Sequence, residues 1–237
     1  MIILDACNWR VLSILRPNWE VKPVLSRGSS TPEWLRKSFV EPLKDVVHIS
    51  ANPFIFELED VRKMFKRVID LHLFCWDEKL FTVRPSSVSL FVKEVLATGE
   101  TKMIVHYMQP HAPFLTSTWL NSYSQDYRKR LLAPRAYDLA MKSFEARKEF
   151  KRAYIENVAA VAKHVESLIK YVKDYDADFK IVLTSDHSEL LRGHYSPLRD
   201  KRKIWIWVGW ILGIYRFVGH ETRSRYKQLY EVPWITF

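Results

Sequence analysis

Acidic, imidazole and hydroxyl side chains stand where four separate apolar segments of the chain end. These side chains are Asp5, the three consecutive hydroxyl residues at 29–31, His111, and the adjacent pair Asp186 and His187. Carboxylates with an imidazole form a ligand set for a divalent cation. A hydroxyl held beside such a cation is activated as a nucleophile. The four groups therefore predict a metal site with a hydroxyl nucleophile, provided that the fold brings the segment ends together.

The segments that precede these side chains have the composition of buried strands. The predicted strands are 2–4, 21–26, 46–50, 102–108 and 178–184, and the predicted helices are 8–15, 58–71, 85–96, 120–150 and 154–172. Thr31, Pro32 and Glu33 predict the start of a further helix, with Thr31 as N-cap and the proline at N1. Alternating strands and helices favour an α/β fold with a mostly parallel sheet, whose active groups gather at the carboxyl ends of the strands.

The length and composition of the chain exclude several classes of protein. A chain of 237 residues is expected to form one domain, 1–237, since domains average about 150 residues. It has only 6 glycines, none spaced as in a dinucleotide fingerprint or a phosphate-binding P-loop, so both cofactor sites are excluded. Cys7 and Cys75 are too few for a disulfide framework or a cysteine zinc site. The scarcity of cysteine, together with the lack of a recognisable signal peptide at the start, predicts a cytoplasmic protein.

The chain is basic. Lys and Arg number 37 against 27 Asp and Glu, which leaves a formal charge of +10. Such a charge favours anionic partners: phosphorylated or sulfated substrates, nucleic acid, or an anionic membrane surface. The densest basic runs are 128–130, 147–152 and 199–203, and no nucleic-acid-binding motif accompanies them. A basic nucleic-acid binder therefore stays an alternative, but a nucleic acid is not the expected partner.

The run 204–215 holds twelve consecutive apolar residues, rich in tryptophan. It is shorter than the roughly 18–20 residues that a membrane-spanning helix needs. Two interpretations stay open: a buried core element, or an exposed flap that makes peripheral contact with a membrane or a lipid-like substrate. Under the second interpretation, the cytoplasmic protein is also membrane-associated, and the run lines one wall of the cleft that holds Asp186.

Several motifs together resemble a known family. They are I-L-D-A-C at 3–7, P-H-A-P-F at 110–114, Y-I-E-N-V at 154–158, T-S-D-H at 184–187, V-G-H at 218–220 and E-V-P-W at 231–234. In this order the chain resembles the sulfatase-like branch of the alkaline phosphatase superfamily, and particularly its small archaeal members. The resemblance covers nearly the whole chain and implies a three-layer sandwich with helices on both faces of a mostly parallel central sheet.

The resemblance also implies roles for individual residues. The implied metal ligands are Asp5, Ser30, Asp186, His187 and His220. S-T-P matches the family's T/S/C-x-P motif, which makes Ser30 the implied nucleophile and Thr31 the neighbour that competes with it. His111 matches the histidine that contacts the phosphoryl or sulfuryl oxygens. His194, in R-G-H, competes with His220 for the role of the late histidine, and an apolar insertion at about 195–218 separates His220 from T-S-D-H.

The departures from the family pattern affect the chemistry. Ser188 stands where the family has glycine, and Trp34 stands where sulfatases have the arginine of their oxidation motif. Oxidation to formylglycine is therefore not expected, which favours phosphate over sulfate. No aspartate matches the one that two-metal members place near the P-H loop. One divalent cation (Mn, Zn, Ca or Mg) per chain is expected.

The resulting prediction is a metal-dependent hydrolase or transferase that acts on phosphate esters, and less readily on sulfate esters, through a serine nucleophile. The expected substrate is an anionic small molecule, glycan or lipid-linked ester. The alternative is a degenerate member of the fold that binds an anionic glycan or lipid headgroup without turnover. The changed opening of the chain and Ser188 motivate that alternative.

Overall fold

The computed structural model describes residues 1–117, 120, 135–142, 144–191, 219–220 and 222–237. The strands are β1 (Ile2–Asp5), β2 (Lys22–Leu25), β3 (Leu43–Ser50), β4 (Phe65–Asp70), β5 (Trp76–Asp77), β6 (Thr82–Val83), β7 (Met103–Pro110), β8 (Val182–Ser185) and β9 (Glu231–Thr236). The helices are α1 (Trp9–Leu15), α2 (Thr31–Ser38), α3 (Phe54–Glu57), α4 (Glu59–Arg62), α5 (Pro85–Ala97), α6 (Arg135–Lys142) and α7 (Phe144–Tyr175). The predictions made for 128–130, for His194, and for 199–203 and 204–215 lie outside the described residues.

Seven strands form the main sheet, in the order β2-β9-β8-β1-β7-β3-β4. β1 lies between β8 and β7 and is parallel to both, and β3 pairs in parallel with β7 and β4. Only β9 runs against its neighbours β8 and β2. The carboxyl ends of β1, β7 and β8 therefore meet at one edge of the sheet, where the residues that follow them lie close together.

Helices cover both faces of this sheet. Successive side chains of a strand point to opposite faces, so Ile2 and Leu4 pack in the core formed with α1, α5 and α7. Ile3 packs on the other face, against Trp34 and Leu35 of α2 and residues of α3 and α4. The predicted α/β fold with a mostly parallel sheet between two helical layers is confirmed. The extent of one domain over 1–237 stays a prediction.

The helix predicted at 58–71 is wrong. The structure has only the short α4 there, and then the strand β4, which pairs in parallel with β3. The apolar spacing of this segment fits a helix, but Val68 and Ile69 are β-branched and pack well on a pleated sheet. Pairing with β3 makes the segment a strand and not a helix, and no local sequence pattern predicts this pairing.

The strand β9 is not predicted by the sequence pattern. Pro233 lies inside it, and a proline ordinarily argues against a strand in the interior of a sheet because it has no N–H to donate. Here it lies opposite Pro23 of the edge strand β2. The two prolines therefore lie opposite each other, at a position where neither strand has an N–H to donate.

Among the residues that the structure describes, no helix combines the length and the apolar character needed to cross a bilayer.

Candidate active site

Three predicted metal ligands meet at the carboxyl edge of the sheet. Asp5 is the last residue of β1, and Asp186 and His187 directly follow the adjacent β8. One ligand atom from each of the three lies within 4.8 Å of those of the other two, and all three side chains are buried. Parallel pairing of β1 with β8 thus places two carboxylates and one imidazole around a common point.

The turn after β1 holds the two carboxylates in register. Ala6 has a left-handed backbone, with φ of 59°, which a residue other than glycine adopts only where its surroundings hold it. Its N–H donates to Asp186 Oδ1 at 3.1 Å, and its carbonyl accepts from the buried hydroxyl of Tyr154 at 2.6 Å. Ser185 adds a hydrogen bond of 2.5 Å to the carbonyl of Leu4. These contacts tie the ends of β1 and β8 to each other and to α7.

His187 presents one nitrogen to the carboxylates. Its Nε2 is 3.5 Å from Asp5 Oδ1 and 3.5 Å from Asp186 Oδ2, while its Nδ1 is 3.0 Å from the carbonyl of Ser188. A ligating histidine usually donates its second ring N–H to a carbonyl in this way. Burial alone lowers the pKa of His187, but the carboxylates of Asp186 and Asp5 outweigh burial and raise it to about 9.

Asp5 is the third candidate ligand. Burial alone would raise its pKa, but the surrounding histidines, His111 and His187 foremost, hold the pKa well below its usual range. Asp5 Oδ1 is buried, and no group among the described residues makes a hydrogen bond to it. A buried carboxylate oxygen with its lone pairs unused, beside a second carboxylate and an imidazole, fits a divalent cation. The donor set of the chain therefore suits the metal that the sequence predicts.

Thr31 brings its hydroxyl to this cluster. Its Oγ1 donates to Asp186 Oδ2 at 2.7 Å and lies 3.4 Å from His187 Nε2. The residue is buried and is the first residue of α2, whose N-terminus carries a partial positive charge. The structure thus places a hydroxyl, at a helix N-terminus, directly against the predicted metal ligands.

Ser30 makes a different contact. It is the N-cap residue of α2, with an extended backbone and no side-chain capping bond, and its Oγ lies 2.9 Å from Thr222 Oγ1. The predicted N-cap was Thr31, so the observed helix begins one residue earlier than predicted. The described contacts of Ser30 lead to Thr222, and those of Thr31 lead to the cluster.

Asn52 is a site residue that the sequence analysis does not single out. It follows β3 and is buried. Its Nδ2 donates to Asp5 Oδ2 at 2.5 Å and lies 3.4 Å from Thr31 Oγ1, while its Oδ1 accepts from the N–H of Phe54 at 2.8 Å. The only signal in the sequence is its place two residues after a predicted strand. An amide N–H beside a nucleophile can stabilise negative charge that develops on a reacting group.

His111 and His220 border the cluster. The ring centroid of His220 is 4.2 Å from that of His187 and 5.0 Å from that of His111. The backbone N–H of His111 donates to the carbonyl of Asp5 at 3.1 Å, which anchors the loop after β7 to β1. The structure therefore brings both predicted histidines to the same edge as Asp5.

Asn157 of α7 clamps the loop that carries His111. It is fully buried, its Oδ1 accepts from the N–H of Leu115 at 2.9 Å, and its Nδ2 lies 3.3 Å from the carbonyl of Pro110 and 3.4 Å from those of His111 and Pro113. Asn157 is the asparagine of Y-I-E-N-V. The helical pattern of the sequence does not predict this role, because it does not indicate which groups a single polar residue on the apolar face will contact.

Glu33 links the start of α2 to the loop after His220. Its Oε2 accepts from the N–H and the hydroxyl of Ser29 at 3.1 and 2.9 Å and from the N–H of Arg223 at 3.0 Å, and its Oε1 pairs with Lys37 at 2.7 Å. Burial alone would raise the pKa of Glu33, but Lys37 and these N–H donors outweigh burial and lower it to about 2. The ionised carboxylate thus stabilises the folded state.

We expect Glu33→Gln to destabilise the protein by roughly 2 kcal/mol at neutral pH, since hydrogen bonds to a charged group contribute about that much. The pKa is lowered on folding, so this stabilisation is present above the ordinary value of 4.5 and is lost as the pH falls towards about 2. Urea unfolding at pH 7 and at pH 3 measures both effects. The control is Glu59→Gln, a side chain that is 78% exposed. A difference that stays the same size at both pH values would contradict this role for Glu33.

Comparison with known proteins extends these observations. A model of the sulfatase family matches residues 42–237. No curated protein matches the chain. Several solved structures are similar in fold.

The C-terminal periplasmic domain of EcEptC from Escherichia coli, in complex with Zn, matches with a TM-score of 0.62 and 14% identity, over 100% of this chain and 71% of that one. The soluble domain of lipooligosaccharide phosphoethanolamine transferase A from Neisseria meningitidis matches with a TM-score of 0.58 and 13% identity, over 100% and 74%. The phosphonate monoester hydrolase SpPMH from Silicibacter pomeroyi matches with a TM-score of 0.50 and 13% identity, over 100% and 67%. At such identities the likeness shows the fold.

Proposed function

Since the chain belongs to the sulfatase family, we propose that it is a metal-dependent enzyme that transfers or hydrolyses a phosphate ester through Thr31. One observation carries this proposal: the Thr31 hydroxyl, at the N-terminus of α2, lies 2.7 Å from Asp186 Oδ2 and 3.4 Å from His187 Nε2. Members of the family and of the fold act on sulfate or phosphate esters. A hydroxyl, two carboxylates and the histidines beside them support the proposal, because such chemistry requires groups of these types.

Thr31 replaces Ser30 as the nucleophile and as the hydroxyl ligand in this proposal. Both residues carry a hydroxyl, but only the contacts of Thr31 lead to the metal ligands, while Ser30 pairs with Thr222. A nucleophile must lie beside the group that activates it. The remaining proposed ligands are Asp5, Asp186 and His187, and His220 is placed instead beside the reacting group.

A divalent cation held by these residues would lower the pKa of the Thr31 hydroxyl and neutralise charge on the ester oxygens. The residues of the chain do the rest. Thr31 Oγ1 attacks the phosphorus while the bond to the leaving oxygen breaks, and Asp186 Oδ2, which already accepts its hydrogen bond, receives the hydroxyl proton. The leaving oxygen departs as an alkoxide and takes a proton from water. The phosphoryl group is then carried on Thr31. Attack by water or by another alcohol on the phosphorus then breaks the bond to Thr31 Oγ1, which takes back its proton from Asp186, and the proton of the incoming hydroxyl passes to solvent.

Asn52 and two histidines surround the reacting group, and the Asn52 N–H is placed to stabilise the charge that develops in these steps. Asn52 Nδ2 is beside both Asp5 and the Thr31 oxygen, and His111 and His220 border the same cleft. N–H donors that are fixed before the reaction lower the barrier most where water is excluded. The burial of Asn52 and of the carboxylates meets that condition.

Phosphate is favoured over sulfate by the identity of the nucleophile. Formylglycine, the aldehyde that sulfatases form, arises from a cysteine or serine. Oxidation of Thr31, a secondary alcohol, would give a ketone instead. Counted from Thr31, Leu35 stands where the arginine of the oxidation motif would be. An unmodified hydroxyl that forms a phosphate ester is the simpler chemistry for this site.

The substrate is proposed to be an anionic lipid- or glycan-linked phosphate ester. The formal charge of +10 favours such a substrate. Among proteins of the same fold are a lipooligosaccharide phosphoethanolamine transferase and a lipoteichoic acid synthase from Listeria monocytogenes. The run 204–215 is proposed to contact the remote part of this substrate, and it lies outside the described residues. The cytoplasmic location and the membrane association stay predictions.

A substrate panel tests this function. The purified full chain is loaded in turn with Mn, Zn, Mg and Ca and is assayed with an aryl phosphate, an aryl sulfate and a lipid-linked phosphate ester. We expect turnover of the phosphates with at least one metal, fastest for the lipid-linked ester, and little turnover of the sulfate. Sulfate turnover above phosphate turnover would overturn the preference. Metal binding without turnover of any ester would favour the alternative of a binding protein that has lost catalysis.

A further inference from the structure

A buried carboxylate supports His220. Both oxygens of Glu189 are 3.3 Å from His220 Nδ1, and the hydroxyl of Tyr137 donates to Glu189 Oε2 at 2.7 Å. The Glu189 side chain is fully buried. Its backbone carbonyl accepts from Asn8 Nδ2 at 3.2 Å, which fixes the residue from the side of α1. Neither Glu189 nor Tyr137 has a part in the chemistry described above.

Tyr137 packs on both histidines of the cleft. Its ring centroid is 5.7 Å from that of His220, edge to face, and 5.6 Å from that of His111. Gly219 makes this approach possible, since a Cβ at that position would come within 2.9 Å of the Tyr137 ring. The φ of Gly219, 118°, is also one that other residues rarely adopt. A single aromatic ring therefore contacts both histidines.

The backbone holds the same arrangement. Leu190 and Gly219 exchange two hydrogen bonds of 3.1 Å, one in each direction. This bridge joins the residue after Glu189 to the residue before His220. The contact between the carboxylate and the imidazole thus rests on three parts of the chain: the segment after β8, helix α6 and the segment at 219–220.

The chemistry of the contact limits the tautomer of His220. Glu189 accepts from Tyr137, and a carboxylate is an acceptor for the imidazole as well. The hydrogen in the contact therefore belongs to His220 Nδ1, and Nε2 is the nitrogen left for the reacting group. Partners of this kind orient functional histidines. For histidines that ligate a metal, their loss typically costs about 10–100-fold in activity or metal affinity, and we expect a loss of the same order here.

We propose that Glu189 and Tyr137 are positioning residues that hold His220 in one orientation and one tautomer, with Nδ1–H on Glu189 and Nε2 directed into the cleft. The catalytic consequence rests on the proposed function. The tautomer is a property of the chain alone and can be measured without any substrate.

The first test is the ¹⁵N NMR spectrum of the histidine rings in the full chain, with His220→Gln used to assign the signal. In the wild type we expect His220 as a single Nδ1–H tautomer. In Glu189→Ala we expect a mixture in which the Nε2–H form gains. A wild-type His220 that carries its hydrogen on Nε2, or a spectrum that Glu189→Ala leaves unchanged, would overturn the proposal whether or not the protein is an enzyme.

The second test is kinetic. In Glu189→Gln, His220 and Tyr137 compete for one amide oxygen, so we expect kcat to fall about 10–100-fold while KM and metal content stay unchanged. Tyr137→Phe keeps the ring packing and removes only the hydroxyl, so its kcat should fall less. The matched controls are Glu59→Gln and Tyr175→Phe, whose side chains are exposed.

The outcomes separate the two proposals. A wild type that turns over no ester contradicts the proposed function, and the NMR test still decides the tautomer. An active wild type with unimpaired Glu189→Gln and Tyr137→Phe contradicts the positioning role. Should Glu189→Gln fail to fold, Tyr137→Phe carries the kinetic test, because it leaves the core packing in place.

Discussion

Thr31→Ala is expected to abolish turnover of phosphate esters, with a loss of kcat of about 10⁴-fold or more, as for other nucleophiles removed from active sites. The reason is that no other described hydroxyl contacts Asp186 and His187 from the N-terminus of a helix in this way. The metal content should fall far less than the activity, since two carboxylates and an imidazole remain. Steady-state assays beside elemental analysis of the same preparation measure both quantities.

Two variants control this result. Thr31→Ser retains the hydroxyl and should retain part of the activity, whereas Ser30→Ala removes only the contact with Thr222 and should stay active. Ser30 makes no side-chain capping bond, so its replacement should cost the helix little stability. If Ser30→Ala is inactive and Thr31→Ala is active, the nucleophile is Ser30, as the S-T-P motif predicts.

Asp186→Ala is expected to remove most of the bound metal and all measurable turnover. Loss of a residue behind a ligand typically weakens metal binding 10–100-fold, so loss of a charged ligand should weaken it by at least about 100-fold. The carboxylate also receives the Thr31 hydroxyl and the N–H of Ala6, so the nucleophile loses its support at the same time. Elemental analysis and the metal-induced rise in Tm measure the binding without any substrate.

The matched control is Asp45→Ala, since that aspartate is 62% exposed and pairs with Lys102 at the surface. It should bind metal as the wild type does. Asp186→Asn separates charge from size: it fills the same space but should also bind metal poorly. Full metal content in Asp186→Ala would show that the cation site lies elsewhere.

The candidate ligands were accessible from the sequence because their signal is local. Asp5, Asp186 and His187 each follow an apolar segment that forms a strand, and parallel strands bring their carboxyl ends to one edge. The supporting residues carry no such signal. Asn52 and Tyr137 reach the site from separate parts of the chain, and their contacts exist only after the sheet and α6 are in place.

The α/β class, the edge at which the candidate site lies and the type of its candidate ligands were therefore determined by the sequence alone, because strand periodicity and chain order suffice to place them. Only the tertiary structure decided which of two adjacent hydroxyls faces the ligands. Successive residues at a helix start point about 100° apart, so a shift of one residue in the first turn exchanges Ser30 for Thr31. That register is set by how α2 packs on the sheet through Trp34 and Leu35 and by the Glu33 contacts with the loop at 222–224. Such long-range packing has no counterpart in the local sequence pattern.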